Sequence, residues 1–65
     1  MKIEAGLRVV CVDGYCNEEY RATVIDMVER GGLNFAIVSI DGSNQLLAEL
    51  TTCLVAESEF ESGDF

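Results

Sequence analysis

Tyr20-Arg21-Ala22-Thr23-Val24 is the first of two segments that decide the fold of this 65-residue chain, and the second is Ile37-Val38-Ser39-Ile40-Asp41-Gly42-Ser43-Asn44. Both are apolar and partly β-branched, which favours β-strands. Between them lies Arg30-Gly31-Gly32, and a glycine pair between two such runs is typical of a tight turn joining neighbouring strands. A third apolar run, residues 6–12, ends at Asp13-Gly14. The pattern predicts adjacent strands of a small twisted sheet, with Val24, Ile37, Val38 and Leu50 in the core.

Two segments are ambiguous when the residues are considered alone. Residues 18–30 place apolar side chains at helical spacing, but Thr23-Val24-Ile25 is a β-branched run that disfavours a helix. Residues 45–56 also carry leucines at helical spacing, yet Thr51-Thr52 is a weak helical pair. Periodicity therefore leaves two folds open: an all-β barrel, and an α+β arrangement with helices at 18–30 and 45–56.

A family resemblance favours the first fold. The Asp13-Gly14 turn, the strand motif at 20–24 and the β-branched run that ends at Asn44 together resemble a Tudor domain, a member of the SH3-like barrels. The likeness covers residues 6–56. It implies an all-β fold, a small SH3-like (Tudor-like) barrel of about five antiparallel strands. We therefore predict a barrel domain at residues 1–56 and an acidic C-terminal tail at residues 57–65.

The resemblance also implies a ligand class, methylated arginine or lysine held in an aromatic cage. Carried over position by position, it keeps Tyr20 and Asn44. It places Val10, Ser39 and Gly42 where cage aromatics are usual. One aromatic side chain is not a cage, so we do not predict methyl-ligand binding, and we interpret Tyr20 as an aromatic residue at the barrel edge.

Charge limits the class of partner. Twelve acidic residues face four basic ones, a net charge of −8, and residues 57–65 carry four of the acids with no base. Affinity for nucleic acid comes largely from neutralising phosphates with lysine and arginine, so direct nucleic-acid binding is not expected. A protein partner with a basic surface is favoured by long-range attraction.

Cysteine usage and hydropathy indicate a compartment. Cys11, Cys16 and Cys53 are an odd number, there is no histidine, and the spacing from Cys11 to Cys16 is poor for zinc. Reduced thiols without a metal fit the cytoplasm. No apolar run approaches the roughly 20 residues of a membrane span. We therefore expect a cytoplasmic protein with no membrane segment and no cofactor.

Catalysis is not predicted. So short a chain buries a thin core, in which a deep cleft is hard to form. No nucleophile stands beside a base, and the aspartates at 13 and 41 each precede glycine, which is ordinary turn chemistry. We expect no enzyme activity.

The tail adds a second resemblance, because acidic residues that end in Asp64-Phe65 look like the C-terminal tails of single-stranded-DNA-binding proteins. In those tails the terminal phenylalanine docks in a pocket rimmed by basic residues. The other interpretation is a solvated tail whose Phe60 folds back on the barrel. The candidate partner-binding residues are Tyr15, Tyr20, Phe35, Asp41, Asn44, Glu57, Glu59, Glu61 and Phe65.

The function predicted from these observations is a non-enzymatic protein-binding module. Small size, a single domain and acidity are typical of a phage-encoded or mobile-element accessory protein that engages a host factor. The alternative is an acidic DNA mimic that inhibits a nucleic-acid-binding protein, of the anti-restriction or anti-CRISPR type. Mimicry requires carboxylates clustered on one face, whereas a scattered distribution favours generic protein binding.

Overall fold

A computed structural model describes residues 3–13 and 18–63, which are built almost entirely of strands. In chain order the elements are β1 (Arg8–Asp13), β2 (Glu18–Arg30), β3 (Leu33–Ile40), β4 (Leu46–Leu50), a 3-10 turn (Thr51–Cys53), β5 (Leu54–Ala56) and α1 (Glu57–Ser62). The predicted all-β fold of five antiparallel strands is confirmed. The alternative with helices at 18–30 and 45–56 is wrong, since both segments are mainly strand.

The strands form one antiparallel sheet in the order β4-β3-β2-β1-β5. Its edges are β4 and β5, each of which pairs with a single neighbour among the described residues. The sheet therefore curls without closing, which corrects the prediction of a complete barrel.

Strand β2 is the long element around which the sheet bends. Its first half pairs with β1, from Arg8 opposite Thr23 to Asp13 opposite Glu18, and its second half pairs with β3. The register shifts at Ile25, between Val24 and Asp26, which is a β-bulge. β-Branched residues suit this doubly paired strand better than a helix, because they pack well on a pleated surface. The bulge supplies the local bend.

The β2–β3 hairpin depends on two glycines. Arg30 pairs with Leu33, so only Gly31 and Gly32 form the loop, and their φ angles are 58° and 81°. Two successive positive φ angles define the type I′ turn that matches the twist of a hairpin, and glycine adopts them without steric cost. The glycine pair therefore fixes the register of β2 against β3.

One face of the sheet, called here the inner face, carries the core. Alternate residues of the paired strands point to it and are almost completely buried: Val9, Cys11, Ala22, Val24, Ala36, Val38 and Leu54. The predicted core positions Val24 and Val38 are confirmed. Ile37 and Leu50 are only half-buried and lie on the opposite, outer face, because neighbouring residues of a strand point to opposite sides.

No helix in the described part of the chain is long and apolar enough to cross a membrane. Helix α1 has six residues, and Gly63 ends it in the left-handed conformation at φ 81°, with its N–H donating to the carbonyls of Glu59 and Phe60.

Candidate partner-binding surfaces

Two arginines stand side by side on the outer face of β1 and β2. Arg8 lies opposite Thr23, and Arg21 lies opposite Val10, so both side chains share the face that is opposite to the core. The chain returns to this face twice more. The turn after β3 brings Asp41, whose backbone N–H donates to the Arg21 carbonyl over 3.0 Å, and α1 brings Glu57 and Glu61.

These five side chains form a connected ionic network, called here the arginine cluster (Arg8, Arg21, Asp41, Glu57 and Glu61). The Arg8 guanidinium holds Asp41 with two parallel bonds, Nη1 to Oδ1 at 2.7 Å and Nη2 to Oδ2 at 2.5 Å. Oε2 of Glu57 is 3.0 Å from a nitrogen of each arginine, and Oε1 of Glu61 accepts from Arg21 at 2.8 Å. Bidentate arginine–carboxylate bonding is the most directional of ion pairs.

The cluster shifts the pKa values of its carboxyl groups in one direction. Hydrogen bonding from Arg8 lowers the pKa of Asp41, and hydrogen bonding from Arg21 and then Arg8 lowers the pKa of Glu57. The same bonds raise the pKa values of both arginines. The side chains are about 25–60% exposed, so water and salt screen the network. It orients α1 more than it stabilises the domain.

Helix α1 covers the outer face next to the cluster. The Arg21 guanidinium carbon lies 5.9 Å from the centre of the Phe60 ring, within the range of a cation–π contact. Val10, which points to this face from the middle of β1, is only 1% exposed. We call this area the covered patch (Arg8, Val10, Arg21 and Phe60).

The rest of the outer face, on β3, β4 and the second half of β2, is largely apolar apart from Asp26, Arg30 and Ser39, and its side chains are half-buried or exposed among the described residues. The register sets Val28 beside Phe35 and Leu50, and it sets Ile37 beside Ala48. We call this area the open patch; its members are Val28, Leu33, Phe35, Ile37, Leu46, Ala48 and Leu50. Two of them, Leu33 at 53% and Leu46 at 59%, are among the most exposed large apolar side chains described.

On the inner side, a hydrogen bond links the central strand β2 to the edge strand β4. The Tyr20 hydroxyl donates to Oε1 of Glu49 over 2.8 Å, linking the start of β2 to β4. Burial, followed by hydrogen bonding with Cys11 and Glu49, raises the pKa of Tyr20 well above its ordinary value. The tyrosine therefore stays neutral and donates at physiological pH.

The candidate residues from the sequence fall into separate places. Asp41, Glu57 and Glu61 meet in the arginine cluster. Asn44 is exposed in the turn before β4, and Glu59 lies on α1 outside the ion pairs.

The aromatic candidates do not form one surface. Tyr20 lies on the inner face, packed against the core, whereas Phe35 belongs to the open patch on the outer face. Tyr15 and Phe65 lie outside the described residues. A contact surface that combines Tyr20 with Phe35 is therefore excluded by their positions on opposite faces.

Sequence reasoning missed the two residues that organise the cluster, Arg8 and Arg21. A signal was available, since the chain has only four basic residues and these two interrupt apolar strand segments. A cation within an apolar strand suggests a partner of opposite charge on that face. The partner Glu57 is 49 residues from Arg8, a separation that no local pattern bridges.

The described residues limit the kinds of ligand that a site on this surface could bind. Within residues 3–13 and 18–63, no three histidine, cysteine, aspartate or glutamate side chains are arranged to hold a metal ion. Cys11 is buried and Cys53 half-buried, both as reduced thiols. What the surface presents is apolar area on the open patch and charge around it.

Comparison with protein-family models, with curated proteins and with solved structures found no match to this chain.

Proposed function

We propose that this chain is a non-enzymatic, cytoplasmic protein-binding module of the SH3-like, Tudor-like kind, and that it binds a protein with a basic surface. An accessory protein of a phage or mobile element that engages a host factor fits this role. The observation that carries the proposal is the open patch, a largely apolar area of one sheet face that the described residues leave half-buried or exposed, while α1 packs over the other half.

Exposed apolar area on this scale has a physical meaning. Single exposed apolar residues are ordinary on any protein, but contiguous patches mark interaction sites. Here the register makes these side chains neighbours across three strands, with the half-buried Phe35 and Ile37 in the middle strand. Aromatic and aliphatic side chains at the centre of an interface carry most of its binding energy.

Charge supports the choice of a basic partner. The arginine cluster holds two of the three arginines in the described part of the chain, so most of the net charge of −8 comes from carboxylates outside it. Their summed field attracts a basic surface and speeds the encounter, whereas apolar contact determines how long the complex lasts.

A DNA mimic receives less support from the same residues. Mimicry needs carboxylates that present charge to a basic groove, spaced like phosphates. The tightest group of carboxylates among the described residues is the arginine cluster, where three carboxylates surround two guanidiniums and leave a single surplus negative charge. We therefore rank protein binding through the open patch first.

The test compares two leucine- or isoleucine-to-serine variants by affinity capture from a host lysate. Leu46→Ser changes the open patch, and Ile25→Ser changes a side chain of similar exposure at the bulge. We expect the wild type and Ile25→Ser to capture the same protein, and Leu46→Ser to capture much less of it. Capture should also fall as salt is raised above about 0.1 M, where the screening length is about 10 Å. Equal capture by all three proteins would contradict the proposal.

The tail needs a separate variant, because two of its three described acids are already ion-paired within the chain. Charge reversal at Glu57 or Glu61 would disturb α1 itself, whereas Glu59→Lys leaves the ion pairs of the arginine cluster intact. If the tail attaches the partner, Glu59→Lys should reduce capture with no loss of thermal stability. If the open patch alone attaches it, capture should change only slightly.

A further inference from the structure

We infer that the partner binds as an extended peptide that adds a sixth strand to the free edge of β4, with apolar residues alternating with lysine or arginine. This inference rests on the proposed function and specifies how the partner is held. It starts from the position of β4, which pairs with β3 alone among the described residues and is five residues long.

The hydrogen-bond pattern shows which backbone groups of β4 point to the free edge. The hairpin after β3 is closed by Ile40 N–H donating to the Gln45 carbonyl over 3.3 Å. Hydrogen-bonded pairs alternate along an antiparallel ladder, so Val38–Leu47 is the next such pair. Leu46, Ala48 and Leu50 therefore direct their N–H and C=O groups away from β3.

β4 lacks three features that keep edge strands from pairing, namely lysine, proline and a bulge, although it is short and carries the inward-pointing Glu49. The sequence of β4 is Leu-Leu-Ala-Glu-Leu, and its pairing with β3 is regular. Its first three residues are exposed, Leu46 at 59% and Leu47 at 39% among them. An extended peptide thus meets an unobstructed row of donors and acceptors, the geometry of strand addition.

The two sides of β4 specify the side chains of the added strand. On the outer side, Leu46, Ala48 and Leu50 continue the open patch, so alternate residues of the peptide should be apolar. On the inner side, the neighbours of the peptide are Leu47 and Glu49, and Oε1 of Glu49 accepts from Tyr20. Opposite charges on adjacent strands stabilise the pair, which favours lysine or arginine beside Glu49.

A second copy of the chain is a poorer occupant of this edge. Antiparallel pairing centred on Ala48 would set Glu49 beside Leu47 of the other copy, and it would bring together two chains of net charge −8. A basic peptide avoids both the unfavourable pairing of Glu49 with leucine and the repulsion between two acidic chains. Charge complementarity thus selects the peptide over the homodimer.

The experiment uses fluorescein-labelled seven-residue peptides and fluorescence anisotropy. The probe alternates valine with lysine, a first control alternates valine with glutamate, and a second carries backbone N-methyl groups on alternate residues of the probe. We expect the probe to bind, and both controls to bind at least about tenfold more weakly, a difference of about 1.4 kcal/mol. Backbone amide shifts confined to residues 45–50 would locate the contact.

Variants of the protein test the edge directly. Ala48→Pro removes an N–H that points to the free edge and leaves the ladder with β3 intact, whereas Ala48→Val keeps that N–H. Ala48→Pro should weaken the probe at least about tenfold, and Ala48→Val by no more than about twofold. Glu49→Gln retains an acceptor for Tyr20 but should reduce the preference for lysine over glutamate. Circular dichroism checks that each variant is folded. If Ala48→Pro does not fold, the N-methyl peptide still tests binding at the edge of the wild-type protein.

Three results would overturn the inference: no binding of the probe, equal binding of the N-methyl control, or a dimer in sedimentation that Ala48→Pro dissociates. The last would identify a second copy as the occupant. Failure of the inferred strand addition can be distinguished from failure of the proposed protein-binding function. If the probe does not bind but Leu46→Ser still abolishes capture from lysate, the open patch binds a partner by another geometry; if both experiments fail, the proposed function fails too.

Discussion

The covered patch and the open patch are two halves of one sheet face, and they differ in how far the chain buries their apolar side chains. Over β1 and the first half of β2, α1 and the arginine cluster reduce the exposure of Val10 to 1%. Over β3 and β4 no described element is laid on the face, and Leu46 is 59% exposed. The pleat is the same in both halves, but the first buries its apolar residues within the molecule and the second does not.

This difference shows which apolar residues the fold needs. Burial stabilises a chain roughly in proportion to the apolar area removed from water, so each side chain of the open patch contributes less to folding than the fully buried Val10 of the covered patch. We propose that the more exposed side chains of the open patch contact a partner.

The largest expected effect contrasts the core with the open patch. Leu54 is 7% exposed on the inner face, and Leu54→Ala should cost about 2–5 kcal/mol of unfolding free energy. Leu46→Ala should change it by no more than about 0.5 kcal/mol, because the side chain is already largely in water. Urea denaturation followed by circular dichroism measures both. Similar losses for the two variants would mean that the open patch is buried in solution.

The next prediction compares the two halves of the outer face directly. Val10→Ser should cost about 1.5–3 kcal/mol, since a fully buried valine is lost beneath α1. Ile37→Ser places the same hydroxyl on the open patch and should cost less, because Ile37 is half-buried and the hydroxyl reaches water. Thermal unfolding of both variants under one buffer condition ranks them. A larger loss for Ile37→Ser would contradict the assignment of the two halves.

A smaller effect concerns the hydrogen bond that links β2 to the edge strand β4. Tyr20→Phe removes the donor to Glu49 and should cost about 0.5–1.5 kcal/mol at neutral pH. Since the pKa of Tyr20 is raised in the folded state, its contribution is complete below the ordinary value of 10.0 and is lost as pH rises above it. Wild-type stability should thus fall above about pH 10 more steeply than that of Tyr20→Phe; equal slopes would exclude Tyr20 as the cause.

The smallest effect is acid sensitivity of the covered patch. The pKa values of Asp41 and Glu57 lie below their ordinary values of 3.8 and 4.5 in the folded chain. Their stabilisation is therefore complete above those ordinary values and is lost as pH falls through the lower folded-state values. Melting temperatures between pH 7 and pH 3 should fall less for Glu57→Gln than for the wild type. Glu29→Gln, outside the cluster, serves as the control and should follow the wild type.

The strands could be predicted because their signals are local. β-Branched residues at 23–25 and the glycine pair at 31–32 act within a few residues, and they favoured strand over the helical spacing of the same segment. Face assignment was less accurate. Val38 was correctly placed in the core, but its neighbour Ile37 was placed there too, although a strand directs adjacent side chains to opposite sides.

The arrangement of the candidate site could not be predicted, since it depends on contacts between distant residues. The acids at 57 and 61 were identified as candidates from composition, yet their arginine partners come from β1 and β2. The open patch also depends on register, because Leu46 and Phe35 share a face only through the pairing of β3 with β4. Sequence indicated which residue types matter, and the sheet determined which of them meet.

The bulge at Ile25 adds one residue to β2 and so changes which of the residues after it point inward. On either side of it, Val24 and Met27 both face inward, three positions apart, where an unbroken strand would have put Asp26 into the core. At this point, the number of residues in β2 is therefore more constrained than the identity of the residue at position 25. Among related chains, residue 25 should tolerate many side chains, since its own is 51% exposed. Deletion of the position would instead move each of the following five side chains to the opposite face of the sheet.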